Sequence, residues 1–204
     1  MKEDRVHLFQ DYLRKFNVNP DLVWSWLLYD RYYEANILRR YLLKKGITKF
    51  HGLDYGCGVG DYGVYLLKHF DCSMDFHDFD YMLDFVKFRL KDQTFNAKYI
   101  IAVPSALKDK LGDYTDIEKH DLVIFGEVLE HLKNPDEVLE ECLDNKVRFV
   151  LTTSYPYRED LDHFKKGGHL MEAGKLQPVC RKLLENNYNF YNPEGGLRIW
   201  ELKL

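Results

Sequence analysis

Glycines at alternate positions, Gly56, Gly58 and Gly60, stand between a short apolar run, His51 to Tyr55, and a helical pattern, Tyr62 to His69. Glycine turns the backbone sharply and presents no Cβ, so a ligand can approach the main chain closely. A strand, a glycine turn and a helix make the opening unit of a parallel sheet with crossover helices. The chain then repeats that alternation. Ser73 to His77 reads as a second strand, followed by a helix from about Tyr81 to Leu90; Ala97 to Val103 and Leu122 to Phe125 read as the third and fourth strands. Asn134-Pro135-Asp136-Glu137 starts a helix, with Asn134 as N-cap, proline in the first turn and acids at the positive dipole end. Arg148 to Thr153 reads as the fifth strand and Leu176 to Asn186 as a helix. The tail from Tyr188 to Leu204, broken at Pro193-Glu194-Gly195-Gly196, reads as a hairpin.

The predicted fold is therefore α/β: a Rossmann-like, doubly wound, mainly parallel seven-stranded sheet with a terminal antiparallel hairpin and N-terminal helices. Residues 1–46 read as a helical cap on the core, with a break between helices from Asn17 to Asp21 and a stop at Gly46. Residues 47–204 read as the ligand-binding domain, and together the two make one compact unit. The helix before Gly46 carries Trp24, Tyr29 and Tyr33, which suit packing on the sheet and closing over a ligand equally well.

Composition narrows the function classes. Hydrophobic residues make up 46% of the chain and charged residues 30%, which excludes a disordered chain. The longest apolar runs fit a buried strand and fall short of a membrane span, and Met1 to Arg5 leads into a charged helical pattern rather than a signal peptide. Formal net charge is −4, with lysines scattered in pairs such as Lys44-Lys45, so a nucleic-acid partner is disfavoured. Cys57, Cys72, Cys142 and Cys180 lie far apart and offer neither a zinc site nor a disulfide framework. A soluble cytoplasmic protein with reduced thiols is expected, its oligomeric state unspecified.

The loop itself discriminates between ligands. A dinucleotide prefers G-x-G-x-x-G, which needs glycine where this chain has Asp61. A carboxylate near the helix start repels a pyrophosphate that needs the same amides, and Asp54 just before the loop adds to that repulsion. A ligand with an ammonium and a sulfonium suits those acids better.

Leu53-Asp54-Tyr55-Gly56-Cys57-Gly58-Val59-Gly60 resembles the first motif of class I S-adenosylmethionine-dependent methyltransferases. The resemblance implies that Gly56, Cys57, Gly58 and Gly60 pack under the methionine and ribose portion of S-adenosyl-L-methionine. It also implies that Asp54 helps hold the amino group, often through water. The family's second motif is an acid ending the next strand about 20 residues on, where it accepts from both ribose hydroxyls. Within Phe76-His77-Asp78-Phe79-Asp80, Asp78 takes that role, Phe79 packs on adenine, and Asp80 caps the next helix. Ile101-Ala102-Val103-Pro104-Ser105 departs from the family, which often has an acid after the third strand.

Asp121 to Leu132 resembles the fourth-strand motif of the same superfamily, especially its ubiquinone-biosynthesis O-methyltransferases. Glu127, Glu130 and His131 share a face if the turn is helical. His131 suits the general base for a hydroxyl acceptor, and Glu127 suits holding the cofactor or the histidine. A metal-assisted reading competes: these groups, with His169 of Lys166-Gly167-Gly168-His169, resemble a divalent-metal site in some relatives, while other relatives keep the pattern without metal. Tyr155 and Tyr157 follow the fifth strand, where substrate is expected.

The expectation is methyl transfer to a small-molecule acceptor, at oxygen. An RNA 2′-O-methyltransferase with a metal-assisted Glu/Glu/His site is the main alternative. A non-catalytic adenosylmethionine-binding subunit is another, and intact Glu127 and His131 count against it. A nicotinamide-dependent oxidoreductase is the third, and Asp61 counts against that.

Overall fold

The computed structural model describes residues 31–101, 117–129, 132, 134–153, 178–193 and 197–203. Its strands are β1 (Lys49–Tyr55), β2 (Asp71–Asp78), β3 (Asn96–Ile101), β4 (Leu122–Phe125), β5 (Phe149–Thr153), β6 (Tyr188–Tyr191) and β7 (Leu197–Leu202). The helices are α1 (Arg31–Lys44), α2 (Asp61–Leu67), α3 (Asp80–Leu90), α4 (Pro135–Asp144) and α5 (Pro178–Asn187), with a 3-10 turn at Ile117–Lys119. The strands form one seven-stranded sheet in the order β3-β2-β1-β4-β5-β7-β6. β1 to β5 run parallel, and β7 is antiparallel to both β5 and β6. This is the Rossmann-like architecture expected, with its antiparallel hairpin at the end.

Alternation along the buried strands builds two cores. Phe50, Met74, Phe76, Leu122, Ile124 and Leu151 face one side, where α1, α2 and α3 supply Leu38, Leu66 and Val86. Leu53, Tyr55, Val123, Phe125 and Val150 face the other, under Leu139 of α4 and Leu184 of α5. A sheet covered on both faces explains why β4 and β5 read as unbroken apolar runs. α1 shares the first core, so the described part of the N-terminal region packs directly on the sheet.

The end of α1 follows a glycine-stop pattern. Gly46 is left-handed at φ 72°, and Ile47 N donates to Leu42 O at 2.9 Å. Two caps differ from expectation. Asn134 precedes α4 but its side chain caps no backbone amide; its amide group instead donates to Glu137 Oε1 at 2.9 Å. Asp80 is the first residue of α3 rather than its cap, because Phe79 holds the extended cap conformation. Asp80 thus stands in the first turn, where its charge favours the helix dipole.

Because β1 is followed by β2 on one side and β4 on the other, the strand order reverses between β1 and β4. In open α/β sheets the ligand crevice lies beyond the carboxyl ends of the strands at that reversal. Gly56 to Gly60 follow β1 and Gly126-Glu127 follow β4, so both loops singled out from the sequence border it.

Candidate active site

The glycine loop is a left-handed turn pinned to the end of β2. Gly56 and Gly58 have φ of 64° and 55°, a region where a side chain is strained. A Cβ on Gly56 would lie 2.4 Å from Val128 Cγ2, so the loop abuts the segment after β4. At Gly58 the nearest atom to a Cβ would be Met82 Cε at 4.0 Å, which leaves room for a ligand against the backbone. Cys57 N donates to His77 O at 3.0 Å, and the Cys57 thiol lies against Gly58 O at 3.7 Å. Burial pushes that thiol well above its usual range, so it stays protonated.

Asp78 does more than end its strand. One carboxylate oxygen accepts from Gly58 N at 2.7 Å and the other from Phe79 N at 2.7 Å. Burial raises its pKa, and these two amides oppose the rise. Asp78 therefore ties β2 to the loop. Phe79 beside it is 39% exposed, a large ring left open at the carboxyl end of the sheet.

Asp54 is 1% exposed and accepts from Gly63 N, at the start of α2, at 3.0 Å. Burial pushes its carboxyl up to about 8, helped by the nearby charges of Asp78 and Asp61 and opposed by the Gly63 amide and Arg89. Asp61 does not act as an isolated repelling charge. Its Oδ1 pairs with Arg89 Nη1 at 2.9 Å, with the two side chains 3% and 8% exposed. Arg89, on α3, also donates to Val59 O and to Tyr32 Oη. The electrostatic case against a pyrophosphate therefore rests mainly on Asp78, since burial keeps Asp54 largely protonated near neutral pH.

On the other side of the reversal, Glu127 has a left-handed backbone at φ 58° and donates its amide to Thr153 Oγ1 at 2.9 Å. That backbone is left-handed at Glu127 itself. Its carboxylate pairs with Arg31 Nη2 at 2.5 Å. Arg31 Nη1 reaches Glu34 at 3.1 Å, and Tyr62 of α2 donates to the same Glu34 oxygen. Burial raises the Glu127 pKa, and Arg31 holds it back. Glu130, His131, His169, Tyr155, Tyr157, Trp24 and Tyr29 lie outside the described residues, while Tyr33 is an exposed ring of α1.

Sequence reasoning missed Arg31, Glu34, Arg89 and Thr153. Arg31 and Glu34 share a face by their i,i+3 spacing, which was readable; that the face meets Glu127 was not. The structure brings Asp54, Gly56, Cys57, Gly58, Gly60, Asp78 and Phe79 to one loop junction, with Glu127 across the reversal.

Residues 53–145 match the methyltransferase domain family, a span running from Asp54 through Glu127 to the end of α4. That match, which takes in the glycine loop and the segment after β4, supports a class I S-adenosylmethionine-dependent methyltransferase. Solved structures place the methyltransferase in the same fold. Magnesium protoporphyrin IX methyltransferase from Synechocystis PCC 6803, with bound S-adenosylhomocysteine, superposes at a TM-score of 0.58 and 19% identity, covering 83% of this chain and 81% of that one. The same enzyme with S-adenosylmethionine gives 0.57 and 17%, over 83% and 77%. A candidate O-methyltransferase from Nostoc punctiforme PCC 73102 gives 0.55 and 12%, over 84% of this chain but 56% of that one. At such identities the likeness is one of fold. No curated protein matches the sequence. Among the described residues no helix is long and apolar enough to cross a membrane.

Proposed function

We propose that this methyltransferase acts on a small-molecule acceptor, at oxygen, and that both banks of the crevice take part. The observation that carries the reading is the buried carboxyl of Asp54 and the half-buried carboxylate of Asp78, on either side of a glycine loop open over Gly58. Gly56, Cys57, Gly58 and Gly60 offer backbone to the methionine and ribose portion of the cofactor, and Asp54 faces its ammonium. Asp78 accepts from the ribose hydroxyls, and the open ring of Phe79 packs on adenine. The bound cofactor supplies an electrophilic methyl on a sulfonium, which in-line attack by the acceptor converts to a thioether.

The remaining chemistry belongs to the protein. It must align the acceptor oxygen behind the methyl and take the proton that a hydroxyl gives up. Glu127, fixed by Arg31 and Thr153, stands at the end of β4 to orient the acceptor or the base. His131 is the base: it takes the hydroxyl proton as the oxygen–methyl bond forms and the sulfur–methyl bond breaks. Support for oxygen comes from the O-methyltransferase motif of residues 121–132 and the candidate O-methyltransferase of like fold.

Release of S-adenosylhomocysteine, followed against a panel of phenols, alcohols, carboxylic acids and amines, tests the reading. His131→Ala is expected to lower turnover of the best oxygen acceptor by about 100-fold or more while S-adenosylhomocysteine binding persists. Turnover confined to amines, or untouched by His131→Ala, would refute the oxygen acceptor or the base respectively.

A further inference from the structure

Away from the glycine loop, His51 of β1, Asp75 of β2 and His120 just before β4 converge on one cavity of about 230 Å³. His51 stands near the start of β1 and His120 precedes β4, so the cluster lies toward the amino ends of these strands. Ser73, Asn96, Lys98 and Lys119 complete the lining. His51 Nε2 lies 3.0 Å from Asp75 Oδ1, and His120 Nε2 lies 3.3 Å from Asp75 Oδ2. The other ring nitrogens also face acceptors: His51 Nδ1 lies 3.0 Å from Lys119 O, and His120 Nδ1 lies 3.3 Å from Ile117 O.

Each Nδ1 faces a backbone carbonyl, which can only accept, while each Nε2 faces the Asp75 carboxylate across the cavity. Nδ1–H on a backbone carbonyl with Nε2 turned inward is the arrangement that orients a metal-ligating histidine. The spacing suits this. Ligands about 2.0–2.1 Å from a tetrahedral zinc lie about 3.3 Å from one another, close to both nitrogen–carboxylate distances here, and all three ligand atoms fall within 4.8 Å.

We propose that His51, Asp75 and His120 form a binding site for one divalent transition-metal ion of the zinc type, separate from the methyl-transfer site. A mixed imidazole–carboxylate set selects such ions over magnesium or calcium. Each oxygen of the Asp75 carboxylate is turned to one of the two imidazoles, so the three candidate ligands already converge. Lys98 Nζ, 3.8 Å from Asp75 Oδ2, competes with the ion; its side chain is 59% exposed and can swing aside. Binding would clamp β1, β2 and the entry to β4 together.

The test is zinc uptake by the full chain after chelator stripping, measured by elemental analysis and by competition with a chromophoric chelator. One zinc per chain is expected. His120→Asn and the half-exposed His51→Gln should each weaken it by about 100-fold or more, Lys98→Met should strengthen it, and His131→Ala should leave it intact. Zinc should also raise the melting temperature of the parent protein but not of His51→Gln, a comparison that holds if His120→Asn folds poorly. Absence of uptake, uptake indifferent to His51→Gln, or uptake abolished by His131→Ala would each overturn the assignment.

Discussion

If Asp54 faces the cofactor's ammonium as proposed, its buried carboxyl should make cofactor binding a proton-release reaction. With its pKa pushed up to about 8, nine in ten molecules hold Asp54 protonated at about pH 7, and only about one in a hundred is ionised at pH 6. A ligand ammonium facing this group selects the ionised form. S-adenosylhomocysteine should therefore bind close to tenfold more tightly at pH 7 than at pH 6, about 1.4 kcal/mol, and expel nearly one proton at pH 7. Titration calorimetry in two buffers of different ionisation enthalpy reads both quantities. Asp54→Asn keeps an acceptor for the Gly63 amide, so the fold should persist while the pH dependence and the proton release disappear. The empty protein gives an independent check. An acid raised in the folded state stabilises it fully below about pH 4, and that stability is lost as pH rises through about 8. Asp54→Asn should accordingly raise the melting temperature more at pH 8 than at pH 5. Affinity flat between pH 6 and 7, or proton release surviving in Asp54→Asn, would show that Asp54 does not face the cofactor's ammonium.

Three further perturbations probe separate joints. Asp78→Asn leaves an oxygen for one loop amide and should weaken S-adenosylhomocysteine by about 10- to 100-fold, the worth of a charge-assisted hydrogen bond; unchanged affinity in calorimetry would displace it from the ribose. Arg89→Met strips the buried partner of Asp61 and should cost about 3–5 kcal/mol in urea unfolding, whereas a loss below about 1 kcal/mol would mean the pair is dispensable. Gly56→Ala meets Val128 at 2.4 Å and a left-handed φ, so about 1–3 kcal/mol of stability should vanish in the same assay; Val128→Ala in that background should return part of it.

Much of this arrangement was legible because the relevant signals are local. Leu122 to Phe125 matched β4 to the residue, since a short apolar run buried on both faces has sharp polar limits. β2 and β3 began one or two residues before their apolar runs, because sheet pairing continues through Asp71 and Asn96 whatever their polarity. The glycine loop and Asp78 were readable because turn and strand end are adjacent motifs. Arg89 with Asp61, Arg31 with Glu127, and the two histidines with Asp75 were not. Each pair joins different elements, and only the register of β1 on β2 and the packing of α1 and α3 bring them together. The cap misassigned to Asp80 shows the reverse limit: a good capping residue one position late leaves that job to a backbone turn.

The reversal of strand order between β1 and β4 divides the molecule's liabilities to mutation. The groups proposed to hold the cofactor lie between Asp54 and Phe79, where loop, helix start and strand end are bonded to one another and leave little latitude. Across the crevice, the end of β4 is tied to the end of β5 by Glu127 N donating to Thr153. The hydrogen bonds found for Asp54 and Asp78 are made within β1, β2 and the residue after it, the glycine loop and the start of α2; loops are where insertions are best tolerated. One lineage can thus exchange acceptors through its second half while its first half stays nearly invariant, and new specificities should arise by loop replacement rather than by drift of the glycine turn.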